Sequence, residues 1–249
     1  MNPSNAIILA AGMGMRLNPL TENMPKCLIQ INGSSLIERC ISKFVQNGIK
    51  TVVIVIGYQG HKIKQTLGDT YAAAKLIYIE NPDYQTTNNI VSLWLARDYL
   101  KQGAFIIEGD IIFEDSALSK LFRNAGGSLW LADRFKKGMD GCLLTTGGAD
   151  RIMALKIIRE KLAEYNGNMF KSAGILKIDA NNGRKLSQFL DKEVQENNKN
   201  IYYDLVLSKY IDKINISVCN IEGLKWSEID NAADLQSAEE LFIHEKNGL

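Results

Sequence analysis

The chain has 249 residues, 46% of them hydrophobic, and carries 29 Lys plus Arg against 28 Asp plus Glu, for a formal net charge of +1. That length buries a substantial core within one α/β unit. Near-zero charge gives no global pull toward nucleic acid, so a nucleic-acid partner is not expected, although a local basic pocket for a small anion remains open. No run reaches the roughly 18–20 apolar residues of a membrane span, so no membrane partner is expected either. The apolar run before Gly12 has no positive charge ahead of it and is too short for a secretory signal. Cys27, Cys40, Cys142 and Cys219 lack paired spacing, which suggests neither zinc nor redox chemistry. A reducing, cytoplasmic location is the expectation.

In chain order, residues 6–10 read as a buried strand that runs into a glycine-rich turn. Ser34 or Ser35 caps a helix in which Leu36, Ile37, Cys40, Ile41, Phe44 and Val45 recur at helical spacing, with Gly48 just past its end. Residues 51–56 form a second strand and 75–79 a third. Asn88 or Asn89 caps a helix through Tyr99, and 104–107 is a fourth strand ending at Glu108-Gly109-Asp110. This alternation is that of a parallel sheet covered by helices. Beyond about Gly126 the pattern loosens: strands are expected at 128–132, 142–146, 151–158, 171–178 and 214–221, and helices at 181–190, 201–211 and 231–242. The charge-rich stretch 191–200 reads as a solvated loop.

The most informative segment is Leu9-Ala10-Ala11-Gly12-Met13-Gly14-Met15-Arg16, followed by Pro25-Lys26. A strand that delivers its carboxyl end into small residues lets backbone N–H groups approach a phosphate. Arg16 and Lys26 add positive charge at fixed positions, and a nucleoside triphosphate is the natural anion. A dinucleotide fold wants glycine where Leu17 stands and an acidic residue where the second strand ends in Gly57-Tyr58. The P-loop string is absent. A plain strand-to-helix turn is the remaining alternative. Asp110 lies where a parallel strand ends, the side on which open α/β sheets bind ligands; it is equally suited to a turn, and Asp230 to an N-cap.

The string L-A-A-G-M-G-M-R-L-N-P-L-T-E-N-M-P-K-C-L resembles the signature of nucleotidylyltransferases, which join an NTP to a phosphorylated small molecule and release pyrophosphate. The likeness spans essentially the whole chain and is strongest over 6–28, around 84–97, at Glu108-Gly109-Asp110 and over 226–230. It implies a Rossmann-like three-layer α/β/α nucleotidyltransferase fold with a mixed, mainly parallel sheet. One domain over 1–249 would comprise a nucleotide-binding half to about 125, an acceptor half over 126–230 and a closing helix at 231–243. By this resemblance Leu9, Ala10, Ala11, Gly12, Met13, Gly14 and Arg16 hold the triphosphate with Glu108 and Gly109 nearby, and Lys26 contacts the phosphates during transfer. Asp110 and Asp230 would hold Mg²⁺, in keeping with an ion that takes one or two carboxylates plus phosphate oxygens. Asn88-Asn89-Ile90-Val91-Ser92-Leu93 resembles the CTP-dependent branch that includes bacterial-type phosphocholine and 2-aminoethylphosphonate cytidylyltransferases. That implies cytosine recognition near Asn88 and Ser92, where chemistry alone leaves a base contact and a helix cap equally open.

A phosphomonoester has a second pKa of about 6, so its oxygen is already an anionic nucleophile near neutrality and no general base is required. His61 and His244 lie in no motif and are expected at the surface. Cationic head groups are held by aromatic faces and carboxylates, and Asp133, Asp140, Tyr203, Asp204 and Trp226 are the candidates; the segments Gly138-Met139-Asp140-Gly141 and Tyr202-Tyr203-Asp204 also look like the phosphonate and phosphocholine enzymes. Trp130 is better placed in a core, Tyr202-Tyr203 is compatible with helix packing, and Asp133 with pairing to Arg134 or a nearby lysine. The expected function is Mg²⁺-dependent transfer of CMP from CTP to a small phosphorylated or phosphonate acceptor with a cationic head. A sugar-1-phosphate nucleotidylyltransferase and a non-catalytic regulatory nucleotide-binding module are the alternatives.

Overall fold

The structure is a computed structural model and describes residues 2–124, 126–159 and 166–243. Strand β1 (Asn5–Ala10) is buried along its whole length, as a strand covered on both faces must be, which is why it reads as an unbroken apolar run. Helix α1 (Leu36–Gln46) begins at Ser35, whose hydroxyl accepts from the Glu38 N–H while the Glu38 carboxylate accepts from the Ser35 N–H, so the cap is Ser35 and not Ser34. Strand β2 (Thr51–Ile56), helix α2 (Gly60–Leu67) and strand β3 (Ala74–Glu80) follow. Helix α3 (Asn89–Leu95) is capped by Asn88 and ends earlier than its apolar spacing suggests, passing at Arg97–Gln102 into a 3₁₀ turn.

Strand β4 (Ala104–Glu108) leads through Gly109-Asp110 into β5 (Ile111–Phe113), helix α4 (Asp115–Arg123) and β6 (Ser128–Arg134). Strands β7 (Gly141–Thr146), β8 (Ile152–Ile158) and β9 (Met169–Ile178) precede α5 (Ala180–Gln195) and α6 (Tyr203–Lys209). The described chain closes with β10 (Ile216–Asn220), β11 (Trp226–Glu228) and α7 (Ala232–Leu241). Helix α5 runs five residues into the stretch expected to be a solvated loop. Its last turn buries Glu193 and Val194, and hydrogen bonds to Glu193 hide that carboxylate from an apolar-spacing argument.

The main sheet has the order β8-β7-β9-β4-β1-β2-β3, with the short strand Thr70–Tyr71 on its β3 edge and β6 joining β9 to β10. Neighbours β4, β1, β2 and β3 are parallel, whereas β9 runs antiparallel to β4, β6 and β7. Odd and even positions of β1 enter different cores. Ile7 packs with Val53, Ile90, Leu186 and Val206 under α3, α5 and α6. Ile8 packs with Ile37, Phe44, Ile63 and Leu118 under α1, α2 and α4. The result is the expected three-layer, mixed and mainly parallel α/β/α arrangement.

Register then fixes the site. Leu9 pairs with both Val55 and Glu108, so the carboxyl ends of β1, β2 and β4 come level. The ribbon β5-β11 pairs Ile111 with Glu228, and the Ile229 N–H donates to the Asp110 carbonyl at 2.9 Å. This brings Asp230, 120 positions away in sequence, beside Asp110. No helix among the described residues is long and apolar enough to cross a membrane.

Candidate active site

The glycine turn is built by local bonding. Gly14 has φ +63°, a left-handed conformation that disfavours any side chain, and a Cβ there would sit 2.9 Å from the Lys26 Cβ. The Thr21 hydroxyl donates to the Gly14 carbonyl at 2.8 Å. The following 3₁₀ turn buries Leu17 and leaves Arg16 exposed. Lys26 starts a second 3₁₀ turn. Its Nζ lies 2.6 Å from Asp110 Oδ2 and 2.8 Å from Asp230 Oδ1, and Arg16 reaches the same Asp230 oxygen at 2.7 Å.

Burial opposes the charge on Lys26, but Asp110 and Asp230 outweigh it and hold the ammonium above its ordinary range. Burial likewise works against the Asp230 carboxylate, and Lys26 and Arg16 outweigh that in turn, holding it below the usual range. Asp230 is not the cap of α7. Asn231 fills that role, its side chain accepting from the N–H groups of Ala233 and Asp234, which frees Asp230 to face the hollow. Asp110 Oδ1 is enclosed and has no hydrogen-bond partner. A carboxylate oxygen left so is costly unless something cationic completes it, and an oxygen-seeking cation suits it. Glu108, Asp110 and Glu228 each present a carboxylate oxygen within 4.8 Å of the others, so Asp110 belongs to two acidic groupings.

These groups open onto a hollow of about 440 Å³. From the glycine segment it is lined by Leu9, Ala10, Ala11, Gly12, Gly14 and Arg16, but not by Met13. Lys26, Glu108, Gly109, Asp110 and Asp230 also line it, as do Asn88 and Ser92. Asn88 caps α3 through a bond to the Asn89 N–H, and the buried Ser92 hydroxyl accepts from Asn81 at 3.1 Å. Asp140 and Asp204 reach the wall.

The other three acceptor candidates do not. Asp133 is buried and bonded to the Arg134 N–H, to Lys136 and to the Trp226 indole N–H, so the pairing alternative holds for it. Trp226 packs against the core under α1 and α4. Tyr203 is fully enclosed, its ring stacked on Trp130 with centroids 6.3 Å apart; Tyr202 lines the hollow instead, beneath the Arg159 guanidinium. Helical geometry decides this, because Tyr202 precedes the first residue of α6 and Tyr203 begins its buried face. His61 is exposed, and His244 lies outside the described residues.

The floor of the hollow contains groups the motifs did not single out. Lys171 Nζ lies 3.0 Å from Glu228 Oε2, and Cys142 sits beside Asp204. Burial, reinforced by Asp204, Asp110 and Glu228, raises the Glu108 carboxyl well above its ordinary value. Burial also raises Asp204. Burial disfavours the Lys171 charge, yet Glu228 and Glu108 outweigh it and raise that amine. The signal for Lys171 was its place in β9, a strand buried over nearly its whole length, where a buried lysine needs a polar partner.

Residues 5–128 match the family model described as nucleotidyl transferase. Over 243 residues the chain is 26% identical to a 2-aminoethylphosphonate cytidylyltransferase of Lancefieldella rimae, covering 97% of this chain and 94% of the relative. It is 29% identical over 244 residues to a choline-phosphate cytidylyltransferase of Streptococcus pneumoniae, with 96% and 99% covered. The solved structure of a CTP:phosphocholine cytidylyltransferase from Streptococcus pneumoniae matches it with a TM-score of 0.79 at 25% identity, over 97% of this chain and 100% of that one.

Proposed function

Because the chain belongs to the nucleotidyl transferase family, we propose that it is a cytidylyltransferase, transferring CMP from CTP to a small phosphorylated or phosphonate acceptor with a cationic head. The observation that carries this reading is Lys26, bonded to both Asp110 and Asp230 beside the Gly12–Gly14 turn. The two cytidylyltransferase relatives, each matched over nearly its whole length, support CTP and an acceptor of this class.

In the proposed reaction an acceptor phosphate or phosphonate oxygen attacks the α-phosphorus of CTP in line. A new P–O bond forms, the bond from the α-phosphorus to the bridging oxygen breaks, and that electron pair leaves on pyrophosphate. The nucleophile is already anionic, so the protein's task is to bring two anions together. Backbone N–H groups of the glycine turn receive the phosphates, and Arg16 and Lys26 neutralise them. Asn88 and Ser92 are assigned to the cytosine, and Asp140 and Asp204 to the acceptor side. Asp110 and Asp230 are the residues assigned to Mg²⁺, with the enclosed Asp110 Oδ1 as the fitting donor; when bound, the ion would supply charge neutralisation at the phosphates.

A panel of the four NTPs against phosphocholine, phosphoethanolamine, 2-aminoethylphosphonate and hexose 1-phosphates, followed by pyrophosphate release with and without Mg²⁺, tests the reading. Turnover should require CTP, Mg²⁺ and an aminated acceptor. Preference for UTP with a hexose 1-phosphate would replace the proposal with a sugar nucleotidylyltransferase.

A further inference from the structure

Arg16, Lys26, Asp110 and Asp230 share one apolar backing. Leu17 follows Arg16, Ile229 precedes Asp230, and Ile29 and Ile112 stand just beyond Lys26 and Asp110; these four apolar side chains are buried in a single cluster. Helix α7 closes the cluster with Ala238 and, at its end, the fully buried Phe242. Within the helix itself only Ala238 is buried. So narrow an apolar contact does not fix a helix in rotation or along its axis, and polar bonds at its two ends supply the remainder.

At the first turn one oxygen of the Asp234 carboxylate accepts from two backbone N–H groups, those of Asp230 and Asn231, each at 2.9 Å. Hydrogen bonds to an ionised acceptor are among the stronger ones. On the other side the Ile229 N–H donates to the Asp110 carbonyl at 2.9 Å. The backbone of Asp230 is thus pinned between Asp110 and α7. At the far end of the helix the Asn32 amide donates to the Phe242 carbonyl at 2.8 Å. It does so from the tight turn Asn32-Gly33, between the paired segments Gln30–Ile31 and Ser34–Ser35, a few residues beyond Lys26. Asp234, Asn32 and Phe242 do not line the hollow.

We propose that α7 is a brace that sets the spacing of Asp110 and Asp230, with Asp234 and Asn32 as positioning residues at its two ends. What the two aspartates do rests on the cytidylyltransferase reading; how they are held does not. Mg²⁺ demands near-ideal octahedral geometry, and a small misplacement far from the chemistry is enough to misalign a transfer. Asp234 acts here as an acceptor for two N–H groups and not as a charge, so an amide oxygen in the same place serves equally.

The test compares wild type with Asp234→Ala, Asp234→Asn and Asn32→Gly, each checked for folding by its melting temperature. Glycine is chosen because Asn32 has φ +51°, which glycine adopts freely. Two quantities are read: the affinity of Mn²⁺ for the protein–CTP complex, by water-proton relaxation enhancement, and kcat and KM with Mg²⁺, CTP and either phosphocholine or 2-aminoethylphosphonate. Asp234→Ala should weaken Mn²⁺ binding by about 10–100-fold, the usual cost of losing a group that orients a metal ligand. Its kcat should fall by a similar factor while KM for CTP changes little. Asp234→Asn should restore both quantities, and Asn32→Gly should show a smaller loss in the same direction. Wild-type Mn²⁺ affinity and kcat in folded Asp234→Ala would overturn the inference, and so would an asparagine variant as impaired as the alanine one, since the carboxylate would then act through its charge. No loss in Asn32→Gly would overturn the assignment at that end. The expected Mn²⁺ pattern in a protein that releases no pyrophosphate would uphold the brace and remove the cytidylyltransferase reading, whereas a wild type that binds no Mn²⁺ with CTP would overturn both.

Discussion

Lys26 bonds to carboxylates contributed by two distant parts of the chain, Asp110 and Asp230. Replacing it with Ala should lower turnover by about 10²–10³-fold, the usual cost of one electrostatic donor, while the far-UV circular dichroism of the fold is retained. Wild-type turnover in that variant would contradict its role. Gly14→Ala tests the same group from the backbone, since a Cβ at φ +63° would press on Lys26 at 2.9 Å. A displacement of that kind should cost about 10²-fold in kcat, read by steady-state kinetics on the folded variant. Arg16, Lys26, Asp110 and Asp230 were legible in sequence because each sits in a string with a physical purpose. Tyr203 and Trp226 misled for the opposite reason: aromatic residues serve cores and cation sites equally, and only packing distinguishes them. Lys171 escaped because its buried ion pair with Glu228, between β9 and β11, leaves no spacing to read.

The elements that present the floor of the hollow are held by polar bonds as well as by apolar packing. Glu193 at the end of α5 accepts from Lys209 at 2.6 Å, from the Tyr210 hydroxyl at 2.7 Å and from Asn198 at 2.8 Å, tying α5 to the end of α6, the helix that carries Tyr203 and Asp204. Burial pushes the Glu193 carboxyl up, and these hydrogen bonds outweigh it and hold it below its ordinary value. A depressed carboxyl stabilises the fold above its unfolded pKa, and that contribution is lost as pH falls through the folded value. Glu193→Gln should therefore lower the melting temperature by several degrees at neutral pH. The difference from wild type should shrink below about pH 4, where the unfolded carboxyl is protonated. A difference that grows on acidification would contradict the linkage. Apolar spacing alone ends α5 at Leu190, because Asp191, Lys192 and Glu193 look like solvated charge until Lys209 and Tyr210 are brought against Glu193. Helices α2 and α4 went unread for a related reason: their buried positions are few, namely Gly60, Ile63 and Leu67 in one and Ala117, Leu118 and Leu121 in the other.

At the scale of the whole molecule, β1, β2 and β4 of the parallel half were legible because strands buried on both faces read as near-continuous apolar runs. Residues 5–128, the span matched to the nucleotidyl transferase family, contain the four parallel strands β1, β2, β3 and β4. The second half was harder because β9 switches partners: it pairs with β7 through Met169–Lys171 and with β4 through Ile175–Ile178, and its pairing with β6 shifts register between Ser172 and Ile175. That shift lies beside Glu108, where the two halves meet over the hollow. The proposed transfer requires the triphosphate to enter at the carboxyl end of β1. A crystal structure of the protein with CTP and Mg²⁺ tests this most directly. It should show the triphosphate against the Gly12–Gly14 turn, in contact with Arg16 and Lys26, and the metal on Asp110 and Asp230. A nucleotide bound elsewhere, with Lys26 still closed onto both aspartates and the turn untouched, would contradict it.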